Sequence, residues 1–88
     1  MNRESHVIVA LHITDRIKLV QEVQNVLTQF GCSIKTRLGL HETSDEYCSP
    51  NGIILLEIVG GEQKAKELTG TLDAIYGVET KTIVFEHP

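Results

Sequence analysis

Residues 37–48, RLGLHETSDEYC, group several side chains that can bind a metal ion. His41 and Cys48 stand near the two ends of the polar part, and the acidic residues between them are Glu42, Asp45 and Glu46. An imidazole and a thiolate together suit nickel, copper or zinc, but a stable site needs three or four ligands. The stretch is therefore either part of a transition-metal site at His41 and Cys48 or the end of a strand followed by a polar turn. The sequence indicates no cofactor apart from this candidate metal.

A second group of charged residues falls where the first helix should begin, and it consists of Asp15, Arg16 and Lys18. Such a cluster can hold a small anion, although helix capping with solvated charges is its more common role. For catalysis, the sequence offers neither a nucleophile with an evident base nor paired carboxylates. The glycines of GGEQKAKE (60–67) lack the spacing of a phosphate-binding loop. We therefore expect a protein that is not an enzyme.

The overall charge argues against direct nucleic-acid binding. The net charge is −4, from 12 acidic and 8 basic residues, and the basic residues are scattered. Phosphate contacts supply most of the affinity for nucleic acid, so such a chain is a poor binder by itself. No apolar run approaches the roughly 20 residues of a membrane span, and the N-terminal residues show no cleavage site. Two cysteines do not make a disulfide framework, and Cys32 is expected to be a small buried side chain. A cytoplasmic protein without membrane binding is expected.

The hydrophobic pattern indicates a single domain, 1–88, with alternating strands and helices. Strand patterns cover four segments, which are 6–13, 32–41, 53–59 and 78–86. Spacings of three and four residues predict two helices. The inward residues are Ile17, Val20, Val23, Leu27 and Phe30 in the first, with Leu19 and Val26 widening the stripe, and Ala65, Leu68, Leu72 and Ile75 in the second. The order β-α-β-β-α-β predicts a ferredoxin-like α+β fold, a four-stranded antiparallel sheet with both helices on one face.

The second and third strands are expected to form a hairpin with a definite register. On the helix-covered face the predicted pairs are Leu40–Ile54, Leu38–Leu56 and Thr36–Ile58. On the other face they are Arg37–Glu57, Gly39–Leu55 and His41–Ile53, and the first of these would be an ion pair. A slip of one residue would turn the apolar residues of the second strand outward.

The sheet face away from the helices should be apolar as well. Its predicted residues are Ile8, Ala10, Ile53, Leu55, Val59, Ile83 and Phe85. A soluble monomer rarely exposes so much contiguous apolar surface, unless some of these residues lie at strand ends under loops. We therefore expect a homo-oligomer, a dimer or a tetramer, that buries this face against another copy, with a different protein partner as the alternative.

Several segments resemble known families. ITDRIKLVQEVQNVLTQFGCSIKTRLGLH (13–41) resembles the first half of an ACT-type domain. IKTRLGLHE (34–42), NGIILLEIVGG (51–61) and LDAIYGVETKTIVF (72–85) together resemble small stand-alone proteins of the iron-only hydrogenase system regulator family, over residues 6–86. The resemblance implies an ACT-like fold whose sheets assemble in dimers or tetramers, as in ACT domains and the C-terminal domain of nickel-responsive repressors.

The sequence departs from both related groups at positions that bind ligands. In amino-acid-binding ACT domains the turn continues Asp-Arg-Pro-Gly, whereas here Arg16 is followed by Ile17 and Lys18, so a standard amino-acid site is not expected. In the nickel repressors a His-x-His pair and a later cysteine bind the metal. His41 and Cys48 are similar to the second histidine and the cysteine, but Gly39 stands at the first. The repressors also carry an N-terminal DNA-binding segment, and here the strand pattern starts within about six residues. A role in transcription would therefore act through a partner.

Taken together, the residues and the resemblance predict a small non-catalytic oligomeric protein that regulates or senses a ligand, as a regulator of transcription or of a hydrogenase system. Its small-molecule ligand is expected at a subunit interface, near Asp15, Arg16, Lys18, Arg37, Gly39 and His41. One alternative is a metal sensor or carrier that uses His41 and Cys48. The other is a structural interaction subunit that docks its sheet onto a protein partner.

Overall fold

The chain folds in the order β-α-β-β-α-β, which confirms the predicted ferredoxin-like α+β class. A computed structural model describes residues 5–14, 16–43 and 48–86, with side chains for 6–14, 19–39 and 52–86. The strands are β1 (Ser5–Ile13), β2 (Ile34–Thr43), β3 (Cys48–Ile58) and β4 (Val78–Glu86). The helices are α1 (Arg16–Gln29) and α2 (Gly61–Asp73), and a short 3₁₀ helix, Gly31–Ser33, leads from α1 into β2.

The four strands form one antiparallel sheet in the order β2-β3-β1-β4. β1 pairs with β3 on one side and with β4 on the other, and both registers are regular. Ile13, the last residue of β1, lies opposite Gly52 of β3 and Val78 of β4. β2 and β4 are therefore the edge strands, and β1 and β3 form the centre of the sheet.

The core lies between the sheet and the two helices. Residues alternate along a strand, so every second residue of β1 faces the helices. The fully or almost fully buried side chains are Val7, Val9, Leu11, Ile13, Val23, Leu27, Leu56, Ile58, Ala65, Leu68, Leu72 and Val78. The spacing of three and four residues between Ala65, Leu68 and Leu72 places them on one face of α2, as predicted. No helix in the described part of the chain has the length and apolarity to cross a membrane.

The buried stripe of α1 differs from the prediction at one position. Val20 was expected to face inward, but it is 46% exposed. α1 packs through Val23 and Leu27, with Leu19 and Val26 partly buried beside them. This stripe is rotated toward Leu19, so Val20 is turned toward solvent.

The turn from α2 into β4 depends on a glycine. Gly77 has φ +94°, a left-handed backbone conformation that residues other than glycine rarely adopt. A Cβ at this position would also lie 2.8 Å from Cδ1 of Leu19. The Gly77 carbonyl accepts a hydrogen bond from the backbone N–H of Thr14 at 2.9 Å, which extends the β1–β4 pairing into the turn.

The β2–β3 register differs from the prediction by one residue. The observed pairs are Thr36–Glu57, Arg37–Leu56, Leu38–Leu55, Gly39–Ile54, Leu40–Ile53 and His41–Gly52. Leu56 pairs with Val9 of β1, whose side chain faces the helices. Arg37 pairs with Leu56 and therefore lies on the helix-covered face, whereas Leu38, the next residue, lies on the other face. The predicted Arg37–Glu57 pairing is therefore wrong, as is the placement of Leu38 and Thr36 on the helix-covered face. The side chain of Leu40 lies outside the described residues.

An irregularity near the start of β2 causes this difference. Ile34 lies opposite Ile58, as a residue of the helix-covered face should, but the register shifts between Ile34 and Thr36. Such a bulge adds one residue to one strand and turns every following residue to the other face. β3 accepts either register because Ile53 to Leu56 are apolar on both faces. In a strand with one apolar and one polar face, the apolar pattern fixes the register, but in β3 it does not favour one of the two registers over the other.

Candidate functional site

The sheet face opposite the helices is apolar at its centre, as predicted. The register aligns Leu38, Leu55 and Ala10 across three strands, and Ile8 and Ile83 lie side by side in the next row. Together with the exposed residues around them they form the open-face patch, which we define as Ile8, Ala10, Leu38, Ile53, Leu55, Val59, Ile83 and Phe85. All of these residues are exposed or half-buried. The patch holds every predicted interface residue and adds Leu38, which the prediction placed on the other face.

The exposure of the patch contrasts with the burial of the same strands on the other face. Phe85 is 58% exposed and Ile83 is 51% exposed, whereas Val7 and Val9 are at 0%. Contiguous apolar surface of this kind marks a site of interaction far more often than a surface that stays in water. The geometry therefore supports an interface, while the oligomeric state itself stays a prediction.

A polar cluster lies on the same face, among the residues of the patch. The Glu57 carboxylate accepts a hydrogen bond from Oγ1 of Thr36 at 3.3 Å and lies 3.5 Å from Nδ1 of His6. These side chains come from β3, β2 and β1, so the sheet register holds them together. Protonation of His6 makes the second contact an ion pair, and burial of the patch by a partner would strengthen it. The cluster thus offers charged and hydrogen-bonding groups within a largely apolar surface.

Sequence reasoning did not single out this cluster. Two features of the sequence could have indicated the cluster. His6 alternates with Ile8 on β1, and Glu57 is the charged residue in the apolar run IILLEI. The contact between Thr36 and Glu57 depends on the bulge in β2, which no pattern in the sequence announces. The predicted register instead assigned Glu57 to Arg37.

Arg37 and Gly39 lie on the helix side of the sheet, away from the open-face patch. Nη1 of Arg37 donates a hydrogen bond to Oε1 of Gln24 in α1 at 3.1 Å. Gly39 lies opposite Ile54. Among the described residues, and apart from the two chain neighbours of Gly39, no heavy atom is within 4 Å of the place where its Cβ would be. The expectation that these two residues share a face with the interface residues is therefore wrong.

The backbone brings the other predicted ligand residues to one end of the sheet. His41, Gly52 and Ile13 form a row across β2, β3 and β1, and α1 begins three residues after Ile13 at Arg16. The side chains of Arg16, Lys18 and His41 lie outside the described residues, as does all of Asp15. Residues distant in sequence thus meet near Gly39, and their ligand-binding role stays a prediction.

The metal hypothesis also concerns side chains that are not described. In the backbone, Cys48 lies opposite Thr43, two residues along β2 from His41. Among the described side chains, those of 6–14, 19–39 and 52–86, no group of three or more His, Cys, Asp or Glu is placed to hold a metal ion. The predicted site at His41 and Cys48 therefore stays a prediction.

The other cysteine is placed differently from the prediction. Cys32 is a free thiol and is exposed, not buried. The physical reason is that it lies in the 3₁₀ helix, Gly31–Ser33, and not at the start of a strand. None of the three residues of this short helix is buried.

The fold recurs in solved structures of other proteins. The TM1266 protein from Thermotoga maritima superposes with a TM-score of 0.76 at 28% identity, over 93% of this chain and 99% of that chain. CPII, a nitrogen regulatory PII-like protein from Thiomonas intermedia K12 bound to ADP, AMP and bicarbonate, gives a TM-score of 0.65 at 7% identity, over 100% of both chains. A protein from Thermus thermophilus, described as a PII-like signaling protein, gives 0.63 at 15% identity, over 99% and 92%. The latter two similarities show a shared fold alone.

A family model matches most of the chain. The family described as "TM1266-like: Iron-only hydrogenase system regulator, putative" matches residues 6–82. No curated protein matches the chain. The match confirms the resemblance found in the sequence. This chain therefore belongs to the TM1266-like family.

Proposed function

We propose that the protein is a small regulatory protein that acts as a homo-oligomer packed through the open-face patch and senses a ligand on the helix side of the sheet, at the end near Gly39. The patch is the observation that carries this proposal, because its exposed and half-buried apolar residues extend across all four strands of the sheet. The description of the family as regulators supports the regulatory part. The fold shared with PII-like proteins supports it further, since CPII is described as nitrogen regulatory and is bound to nucleotides.

The ligand would act by favouring one arrangement of the subunits. A ligand shifts such an equilibrium only by the difference between its affinities for the two arrangements. The end of the sheet near Gly39 suits this role, because the start of α1 and the end of β2 meet there. Arg37 supplies a guanidinium on the same face, and an anionic ligand would compete with Gln24 for it.

Native mass spectrometry with ADP, AMP and bicarbonate tests this proposal, because CPII is bound to these molecules. We expect at least one probe to bind and to change the distribution of subunit numbers. Arg37→Ala should weaken that binding by about tenfold or more, since a hydrogen bond to a charged group contributes about 1.5–3 kcal/mol. Lys35→Ala is the matched control, because Lys35 is an exposed cation two residues away on β2, and it should bind like the wild type.

Binding of none of the probes by an intact oligomer would contradict ligand sensing at this site as proposed. That outcome would favour the structural interaction subunit, which needs the open-face patch but no ligand. Equal loss of binding in both variants would contradict the specific role of Arg37.

The strand register favours one second candidate function, a transition-metal sensor or carrier. It places Cys48 and His41 on paired strands of one hairpin, where an imidazole and a thiolate could contribute to one site. Elemental analysis of protein purified without a histidine tag should then find stoichiometric nickel, copper or zinc. Cys48→Ser should lose the metal, whereas the control Cys32→Ser should keep it, since Cys32 lies at the other end of β2. A wild-type protein without any of these metals would contradict this candidate.

A further inference from the structure

The edge strand β4 is protected along its first half but not along its second. The Asp73 carboxylate accepts hydrogen bonds from the backbone N–H of Thr80 at 3.0 Å and from its hydroxyl at 2.9 Å. Glu79 and Lys81 place opposite charges, 3.8 Å apart, on the same part of the strand. Occupied backbone groups and charged side chains are common protections of an edge strand against pairing with another chain. Beyond Lys81 the strand reads TIVFE, in which Glu86 carries the one charge.

The backbone of this second half points outward. In an antiparallel pair, the N–H and C=O groups of a residue point to the same side, and successive residues alternate. The Thr80 N–H points to Asp73 and not to β1, and the regular β1–β4 register carries the alternation along the strand. The N–H and C=O groups of Thr82, Val84 and Glu86 therefore point away from β1. No strand in the described part of the chain pairs with this side of β4.

The other edge of the sheet is less suited to strand pairing. β2 has register irregularities between Ile34 and Thr36 and between His41 and Thr43. Bulges disrupt the ladder and twist an edge away from incoming strands. The β1–β4 register, by contrast, is regular from Ser5–Glu86 to Ile13–Val78. β4 is therefore the edge on which an added strand would find an undistorted ladder.

A cleft of about 290 Å³ lies along the same edge, between α2 and β4. Its lining residues are Glu62, Ala65, Lys66, Thr82 and Val84. The side chains of Thr82 and Val84 face the helix side, since Val9 and Val7 lie opposite them. A strand added to β4 would thus present alternate side chains to this cleft, beside the ammonium group of Lys66.

We propose that the second half of β4 pairs antiparallel with the same segment of a second copy, across a two-fold axis at Val84. The accessible segment runs from Thr82 to Glu86 with Val84 at its centre, so two copies overlap fully only when the two Val84 residues face each other. Thr82 then lies opposite the partner's Glu86, and Ile83 lies opposite the partner's Phe85. Each contact occurs twice because the interface is symmetric.

The side chains favour a second copy as the occupant. On the open face, the two pairs of Ile83 with the partner's Phe85 are of the aromatic and β-branched kind that stabilises antiparallel strands. On the helix side, the partner's Glu86 enters the cleft beside Lys66, which gives an ion pair in each half of the interface. The same strand thus supplies both members of every pair. This edge pairing goes beyond the proposed function and does not depend on burial of the open-face patch.

Val84→Pro tests the pairing, with Val84→Thr as the matched control. Proline removes the outward N–H of residue 84, which bonds to nothing in β1, and an edge strand tolerates proline at such a position. Two hydrogen bonds of the symmetric interface are lost, so the dissociation constant of the edge dimer should rise by about tenfold or more. Val84→Thr keeps the N–H and a β-branched side chain, and it should retain the wild-type subunit number. Light scattering coupled to size-exclusion chromatography, over a dilution series, measures the subunit number and the dissociation of both variants.

A folded Val84→Pro protein with the subunit number and dilution behaviour of the wild type would overturn the proposal. If circular dichroism shows that this variant is unfolded, variants of the charged residues Glu86 and Lys66 test the pairing instead. Glu86→Lys should weaken association by about fivefold, and the exchange Lys66→Glu with Glu86→Lys should restore it. Identical association of the wild type, the single variant and the double variant would then overturn the proposal.

Discussion

Replacing Leu55 by lysine should separate the subunits that we propose to pack through the open-face patch. Leu55 lies at the centre of the open-face patch, with Ala10 on one neighbouring strand and Leu38 on the other. In a single subunit the lysine can extend into solvent, so the fold should persist. In the assembled protein the charge would be buried without a partner, which costs about 3–5 kcal/mol. The dissociation constant should therefore rise by about 100-fold or more.

Tyr76→Lys is the control for this variant. Tyr76 is 97% exposed, but it lies in the turn after α2 and outside the patch. The same new charge there should leave the subunit number unchanged in light scattering. The interface would be assigned to the wrong surface if the Leu55 variant kept the wild-type mass on dilution, or if both variants dissociated equally.

Leu68→Ala should produce a large loss of stability. Leu68 is 0% exposed and packs in the core between the helices and the sheet. Removal of a buried leucine side chain costs about 2–5 kcal/mol, because the lost contacts leave a cavity that the surroundings fill only in part. For a domain of this size that is a large part of the total free energy of unfolding.

Urea unfolding at one fixed protein concentration measures this effect, with Val20→Ala as the control. Val20 is 46% exposed on α1, so its truncation should change the free energy of unfolding by about 0.5 kcal/mol or less. A loss below about 1 kcal/mol for Leu68→Ala would contradict the assignment of this residue to the centre of the core.

The order of the elements was readable from the sequence because the hydrophobic period changes at each boundary. Val7, Val9 and Leu11 alternate as a half-buried strand requires, and Ala65, Leu68 and Leu72 repeat as one face of a helix. The open face was readable for the same reason, since its residues are the alternate positions of β1, β3 and β4. These predictions depend on local spacing, which a distant contact does not change.

The hairpin register was not readable in the same way. A pattern fixes register when one face of a strand is apolar and the other is polar, but Ile53 to Leu56 are apolar on both faces. The bulge after Ile34 then decided which residues of β2 face the helices. The face of Arg37 and the contact between Thr36 and Glu57 both follow from that bulge, so the sequence prediction missed them together.

The candidate site was predicted in part. The apolar residues of the open face were found by alternation, whereas Arg37 and Gly39 were assigned to the wrong face. The proximity of His41 to the start of α1 follows from the sheet order, in which the ends of β1, β3 and β2 meet in one row. Sheet order depends on pairing between distant segments and lies beyond what local spacing can show.

The subunit number of the wild-type protein at micromolar concentration tests the central claim most directly. Light scattering coupled to size-exclusion chromatography gives this number without a ligand, a tag or a variant. The open-face patch predicts a dimer or a larger symmetric oligomer that persists on dilution through the micromolar range. A protein that elutes as a monomer at these concentrations would contradict the proposal that the patch is an interface between copies of this chain.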